Sequence, residues 1–267
     1  MLELYQFELS QYSEKVRLIL DYKGLEYRKI EVTPGVGQLE LFRLSGKTQV
    51  PVLKDGDTFI GDSTAIAFYL EEKYPDKPLI PSEPFSKGQC LLIEEWADES
   101  IGIKGRKALI GALNQNPAFR AEILPREVPG FVKNLVSAIP SDLLTFLGTG
   151  VGLGKDEIEE AQKALKQDLE ALCLILSDGR PYLVGDSPTL ADLTVAGLSI
   201  ILKFPEANYI KLPPQLLGKG IPGIADNPDF AAFFAWRDHI YQQYRRPSVE
   251  SGDNSGNNSS PTNIEIE

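Results

Sequence analysis

The chain opens on a short apolar run at residues 2–7, LELYQF. Over residues 10–23 Val16, Ile19, Leu20 and Lys23 then recur at helical spacing, and Gly24 supplies a stop. This pattern predicts a strand and then a helix. Residues 27–32 predict a second strand, and a strand, helix, strand series makes a unit whose two strands run parallel. Residues 50–54 and 58–60 flank Asp55-Gly56-Asp57, a hairpin signal, and a helix over residues 63–73 closes the series.

The resulting order, β-α-β, a short helix or loop, then β-β-α, is the thioredoxin arrangement and assigns residues 1–80 to an α/β domain. Residues 75–86 carry four prolines and read as a linker. Beyond it the periodicity is helical: one long helix over 86–112, and another over 156–176 with Ile158, Ala161, Leu165, Leu169, Leu172 and Leu176 on one face. Residues 190–202 are apolar almost throughout and predict a helix buried on all sides. Two segments rich in proline and glycine, 115–154 and 204–228, predict shorter helices in an irregular frame. Residues 87–246 therefore form an all-α domain. Residues 247–267 are polar and low in complexity and predict a disordered tail, because so few apolar groups cannot repay the entropy of ordering.

Composition narrows the chemistry. Of 267 residues 42% are hydrophobic, enough for a core in each domain, and the net charge of −11 argues against nucleic acid or an anionic membrane as partner. No apolar run is long enough to span a bilayer, and the first residues lack the basic start and apolar core of a signal peptide, so a cytoplasmic location is expected. Cys90 and Cys173 stand far apart in no metal-like spacing, as suits a reducing compartment. The single histidine, His239, rules out histidine-based metal clusters. Hydroxyls, carboxylates, backbone dipoles or a bound cofactor must carry any reaction.

Ser10 lies where the first strand turns into a helix, a position suited to an N-cap and equally to an anion held by free N–H groups and the helix dipole. A thiolate is such an anion. Val50-Pro51 opens a strand; a cis bond there would turn the Val50 backbone outward to pair with an extended peptide. Asp62-Ser63 opens the third helix, where the serine and adjacent N–H groups suit a ligand carboxylate and the aspartate suits an ammonium. Thr189 and Asp192 read as a structural capping box. Tyr5, Tyr12 and Ser13 rival Ser10, with Tyr5 read as core and Ser13 as a cap. Trp96, Asp98 and Arg106 share the long helix, on a solvated or packed face.

Taken together, LELYQFELSQYSEKVR, QVPVLKDGDTFIGDSTAIAFYLEEKYP and GDSPTLADLTVAG resemble the glutathione transferase family, and the opening is most similar to its theta type of serine enzyme. The resemblance implies glutathione as co-substrate, no metal, and conjugation of its thiolate to a small hydrophobic electrophile. It places Ser10 at the thiolate, Gln49 and Val50 before the family's cis-proline at Pro51, and Asp62 and Ser63 at the γ-glutamyl group. It also implies a homodimer. Two other readings share these residues: a binding module with little catalysis, and a glutathione-dependent isomerase or lyase. Ser10 and Ser13 stand where thiol-exchanging relatives carry cysteines, which argues against exchange through a protein thiol.

Overall fold

The computed structural model describes residues 1–33, 36–116 and 155–247. The elements expected within 117–154 and the tail from residue 248 lie outside the described residues. The N-terminal unit comprises β1 (Leu2–Gln6), α1 (Gln11–Lys23), β2 (Tyr27–Glu31), α2 (Val36–Ser45), β3 (Val52–Asp55), β4 (Thr58–Gly61) and α3 (Ser63–Lys73). Its sheet has the order β2-β1-β3-β4, with β1 and β2 parallel and the other pairs antiparallel. That is the α/β arrangement the sequence predicts, with the region between β2 and β3 resolved as a helix.

Alternation along β1 sends Leu2 and Leu4 into the main core with Leu53, while Tyr5 faces the other side with Val52 and Phe59, under Leu41 of α2. Gly24 ends α1 with φ of 73°, and its N–H returns to Asp21. A side chain there would be strained.

The second unit is helical: α4 (Pro84–Ala97), α5 (Ile103–Gln115), α6 (Lys155–Ile175), α7 (Leu190–Leu198) and α8 (Ala231–Tyr244). The single long helix predicted over 86–112 is instead two helices joined by a π-helical turn, Asp98–Gly102. α1 docks on the backbone of this turn. Gln11 Nε2 donates to the Gly102 carbonyl, and the Tyr12 hydroxyl donates to that of Asp98 at 3.3 Å. The turn is thus in contact with a segment distant in the chain, which periodicity does not report.

Every residue of α7 is buried, as its composition predicts, and α7 packs directly on α1. Gly197 makes that approach possible, since a Cβ there would lie 2.7 Å from Lys15 Cα. The Thr189 and Asp192 capping box is present. Asp192 accepts from the Leu183 N–H at 2.6 Å, and from the Thr189 N–H and hydroxyl at 2.8 Å each. Burial still dominates, and the carboxyl is pushed up from 3.8 to about 6.

Two outcomes follow. Gly197→Ala should destabilise the protein by about 1–3 kcal/mol, because backbone and not a flexible side chain blocks the new methyl; an unchanged urea midpoint would contradict the close approach. For Asp192, a folded pKa above the unfolded one means that the fold prefers the protonated form. Its contribution is full below 3.8 and lost as pH rises through about 6. The stability of the parent relative to Asp192→Asn should therefore fall by about 3 kcal/mol between about pH 4 and pH 7 in urea titrations. A gap independent of pH would refute the shift.

Candidate functional site

Strand register brings the three sequence-predicted segments to one end of the sheet. Tyr5 of β1 stands opposite Val52 of β3, and Val52 stands opposite Gly61 of β4. The residues just beyond this row are the β1–α1 turn with Ser10, the approach to β3 with Gln49, Val50 and Pro51, and the start of α3 with Asp62 and Ser63.

Ser10 is the N-cap of α1 in extended conformation. Its Oγ accepts from the Ser13 N–H at 3.2 Å, and its carbonyl accepts from the Glu14 N–H at 2.9 Å. Among the described residues the Ser10 hydroxyl donates to no protein acceptor, so its hydrogen remains for a group outside the helix. Glu14 in the first turn would oppose an anion at this end. It is fully buried and is neutralised by Arg17 at 2.5 Å and Arg245 at 2.9 Å, whose charges outweigh burial and hold the carboxyl below its ordinary value.

The Val50–Pro51 bond is cis. Pro51 is buried, Val50 half-buried and Gln49 exposed. Asp62 caps α3: its Oδ1 accepts from the Thr64 N–H at 3.0 Å and the Ala65 N–H at 2.9 Å. The residue adopts φ of 74°, a sparsely populated conformation for a side-chain-bearing residue that persists only when its surroundings over-determine it. Ser63 follows, 3% exposed, at the first turn of the helix, where backbone N–H groups lack intrahelical partners.

Among the rivals, Tyr5 packs on Phe59 with ring centroids 6.2 Å apart, as a core residue would. Tyr12 is held at the π turn, with burial first and the Asp98 charge next raising its pKa away from neutrality. Ser13 differs from its reading as a cap. Ser10 fills that role, and the buried Ser13 Oγ has no partner among the described residues.

Sequence reasoning missed the groups beneath the site. Lys15, fully buried on α1, donates to Thr64 Oγ1 at 2.9 Å, Glu94 Oε1 at 2.6 Å and Asp98 Oδ1 at 2.9 Å. Burial raises the Asp98 carboxyl against the opposing effect of Lys15. Asp98, expected on a solvated or packed face, is thus part of an ionic cluster. Its only sequence signal is the four-residue spacing of Glu94 and Asp98, one helical turn apart where α4 runs into the π turn.

The segment 204–228 also reaches this end of the molecule. The Lys211 N–H donates to Glu8 Oε1 at 3.0 Å, two residues before Ser10, while Tyr209, Ile210, Leu216, Ile221 and Ile224 are buried in the core. Among the described residues no group of three or more histidine, cysteine, aspartate or glutamate side chains is arranged to hold a metal ion.

Comparison with known proteins identifies the family and the fold. The glutathione S-transferase N-terminal domain matches residues 4–78 and the glutathione S-transferase C-terminal domain matches residues 135–214. Glutathione S-transferase 1 of Dianthus caryophyllus is 42% identical over 85 residues, which are 31% of this chain and 38% of that protein. The chain therefore spans well under half the length of that relative. A longer match, 28% identical over 180 residues, covers 62% of this chain and 82% of a stringent starvation protein A homolog of Pasteurella multocida. Human glutathione transferase theta-2, solved in complex with glutathione and an unknown ligand, superposes with a TM-score of 0.59 at 22% identity, over 91% of this chain and 86% of that one. With both halves of one two-domain family matched in order and the fold reproduced, this chain belongs to the glutathione S-transferase family.

Proposed function

We propose that the protein conjugates glutathione to a small hydrophobic electrophile, with Ser10 holding the reactive thiolate. The observation that carries this reading is the placement of the Ser10 hydroxyl, capped from inside the helix and free to donate outward, beside two segments suited to the rest of a tripeptide. The extended ligand pairs with the Val50 backbone next to Gln49 and Pro51. Its γ-glutamyl carboxylate meets Ser63 and the start of α3, and its ammonium meets Asp62.

The energetics suffice. Lowering a thiol pKa from about 8.5 to about 6.5 needs about 2.7 kcal/mol. A helix N-terminus supplies about 0.3–1 kcal/mol, and a hydrogen bond to a charged acceptor about 1.5–3 kcal/mol. No protein base is required, because the thiol proton leaves to solvent. The sulfur electron pair then forms the bond to the electrophilic carbon, and the leaving group departs with its own pair. Ser10 contributes a hydrogen bond and keeps its proton, while the protein supplies orientation.

A homodimer and a cytoplasmic location complete the reading. Phe85 and Leu92, seven residues apart on α4 and therefore on one face, are 70% and 71% exposed, and Phe68 of α3 is 43% exposed. Such side chains suit a surface covered by a second copy. The acidic balance and two free thiols suit the cytoplasm. Among the described residues no helix is long and apolar enough to cross a membrane. The contact between Glu8 and the 204–228 segment supports that segment as one wall of the electrophile pocket.

Ser10→Ala should leave glutathione affinity within about threefold while lowering kcat/KM at pH 6.5 by about 10- to 100-fold, and should move the pH–rate profile up toward the free-thiol value. Isothermal titration with glutathione and a panel of electrophiles across pH would read both. A parent that binds no glutathione would overturn the proposal, and unaltered turnover in the variant would transfer the role to Tyr5, Tyr12 or Ser13.

A further inference from the structure

The cluster beneath the site joins its two halves through one residue. Thr64 is engaged twice: its N–H donates to Asp62 Oδ1 at 3.0 Å, and its hydroxyl oxygen accepts from Lys15 Nζ at 2.9 Å. The hydroxyl hydrogen has Glu94 Oε1 at 2.6 Å and Asp98 Oδ2 at 2.9 Å as acceptors. Lys15 spends all three ammonium hydrogens on Thr64, Glu94 and Asp98, so its geometry is fully determined. It sits on α1 just past the turn that Ser10 caps, and Gly197 of α7 presses on its backbone from behind. A buried ammonium is confined by its partners and its walls alike.

We propose that Lys15, acting through Thr64, is the positioning residue that sets Asp62 and Ser63 at a fixed separation from Ser10, and so governs affinity for the α-amino acid end of the tripeptide. This rests on the glutathione-binding reading above and adds a residue to it. Asp62 is the strained member of the site, with φ of 74°, and both cap bonds that hold it come from the first turn of α3. That turn is tied to α1 and α4 by the Thr64 hydroxyl. Releasing the tie lets the first turn of α3 relax and blunts the fit to a ligand carrying an ammonium and a carboxylate together. The thiol end is untouched, because the cap on Ser10 comes from the Ser13 N–H, within α1.

The placement predicts a split that a merely structural role would not give. Thr64→Val keeps the shape and both ion pairs of Lys15 while removing the bridge. It should raise KM and Kd for glutathione about tenfold, as loss of a hydrogen bond to a charged group allows. Its kcat at saturating glutathione and the pH profile of kcat should stay within about threefold of the parent. Thr64→Ser, which restores the hydroxyl, should recover affinity.

Lys15→Met strands the buried Glu94 carboxylate and the half-buried one of Asp98, and is expected to be poorly folded. The triple variant Lys15→Met, Glu94→Gln, Asp98→Asn removes the charges together and should fold while keeping the raised KM. Thermal midpoints measured beside the kinetics separate stability from positioning. A Thr64→Val protein that loses thermal stability yet keeps parental KM overturns the proposal, as does one in which kcat falls with KM unchanged. A parent that binds no glutathione removes the underlying reading as well, whereas a binding parent with unaffected variants removes this inference alone.

Discussion

Burial of the charged side chains of α1 is the constraint on which the rest of the structure depends. Glu14, Lys15, Arg17, Asp21 and Lys23 are all less than a tenth exposed on this one helix. Four of these charges are answered from outside the helix: Lys15 by Glu94 and Asp98 of the helical unit, Glu14 and Asp21 by Arg245 just beyond α8, and Lys23 by Glu71 of α3, while Arg17 pairs with Glu14 within α1. Taking ions out of water costs several kcal/mol apiece, and only well-placed partners offset it. The partners must therefore arrive with α4, α8 and α3 in register. The two units are consequently locked to one another at the helix whose N-terminus holds Ser10.

That lock shapes the site. Gln11 and Tyr12 dock onto carbonyls of the π turn, Gly197 admits α7 against the backbone of Lys15, and the Lys211 amide restrains Glu8 ahead of the cap. A cap held from both flanks is a stable platform for one hydroxyl and one helix dipole. Preorganised donors of this kind act without reorganising when charge develops, which is the role the proposal gives to Ser10.

Much of this was legible in the sequence, and the rest was not for identifiable reasons. Local rules reach local facts: the strand before Ser10, the glycine after Lys23, the Asp-Gly turn between β3 and β4 and the cap at Thr189 and Asp192 all depend on neighbours within a few residues. Val16, Ile19 and Leu20 announced one apolar face of α1, but nothing in their spacing tells whether the charged residues of the helix meet water or paired charges. Lys15 looked like any surface lysine. Asp98 likewise gained its meaning only when α4 was laid against α1, and the π turn that broke the long predicted helix answers Gln11 and Tyr12, some ninety residues away. Ser13 was misread as a cap because serine at either end of a first turn has the same local signature, and only the φ/ψ of Ser10 separates them.

The central claim is that this platform presents Ser10 to a sulfur while Asp62 and Ser63 hold the far end of the same molecule. The most direct measurement is a crystal structure of the protein soaked with glutathione. The account predicts the sulfur within hydrogen-bonding distance of Ser10 Oγ, the cysteinyl backbone paired with Val50, and the γ-glutamyl carboxylate at Ser63 with the ammonium at Asp62. Glutathione bound elsewhere, or bound here with its sulfur turned away from Ser10 toward Tyr5 or Tyr12, would contradict it.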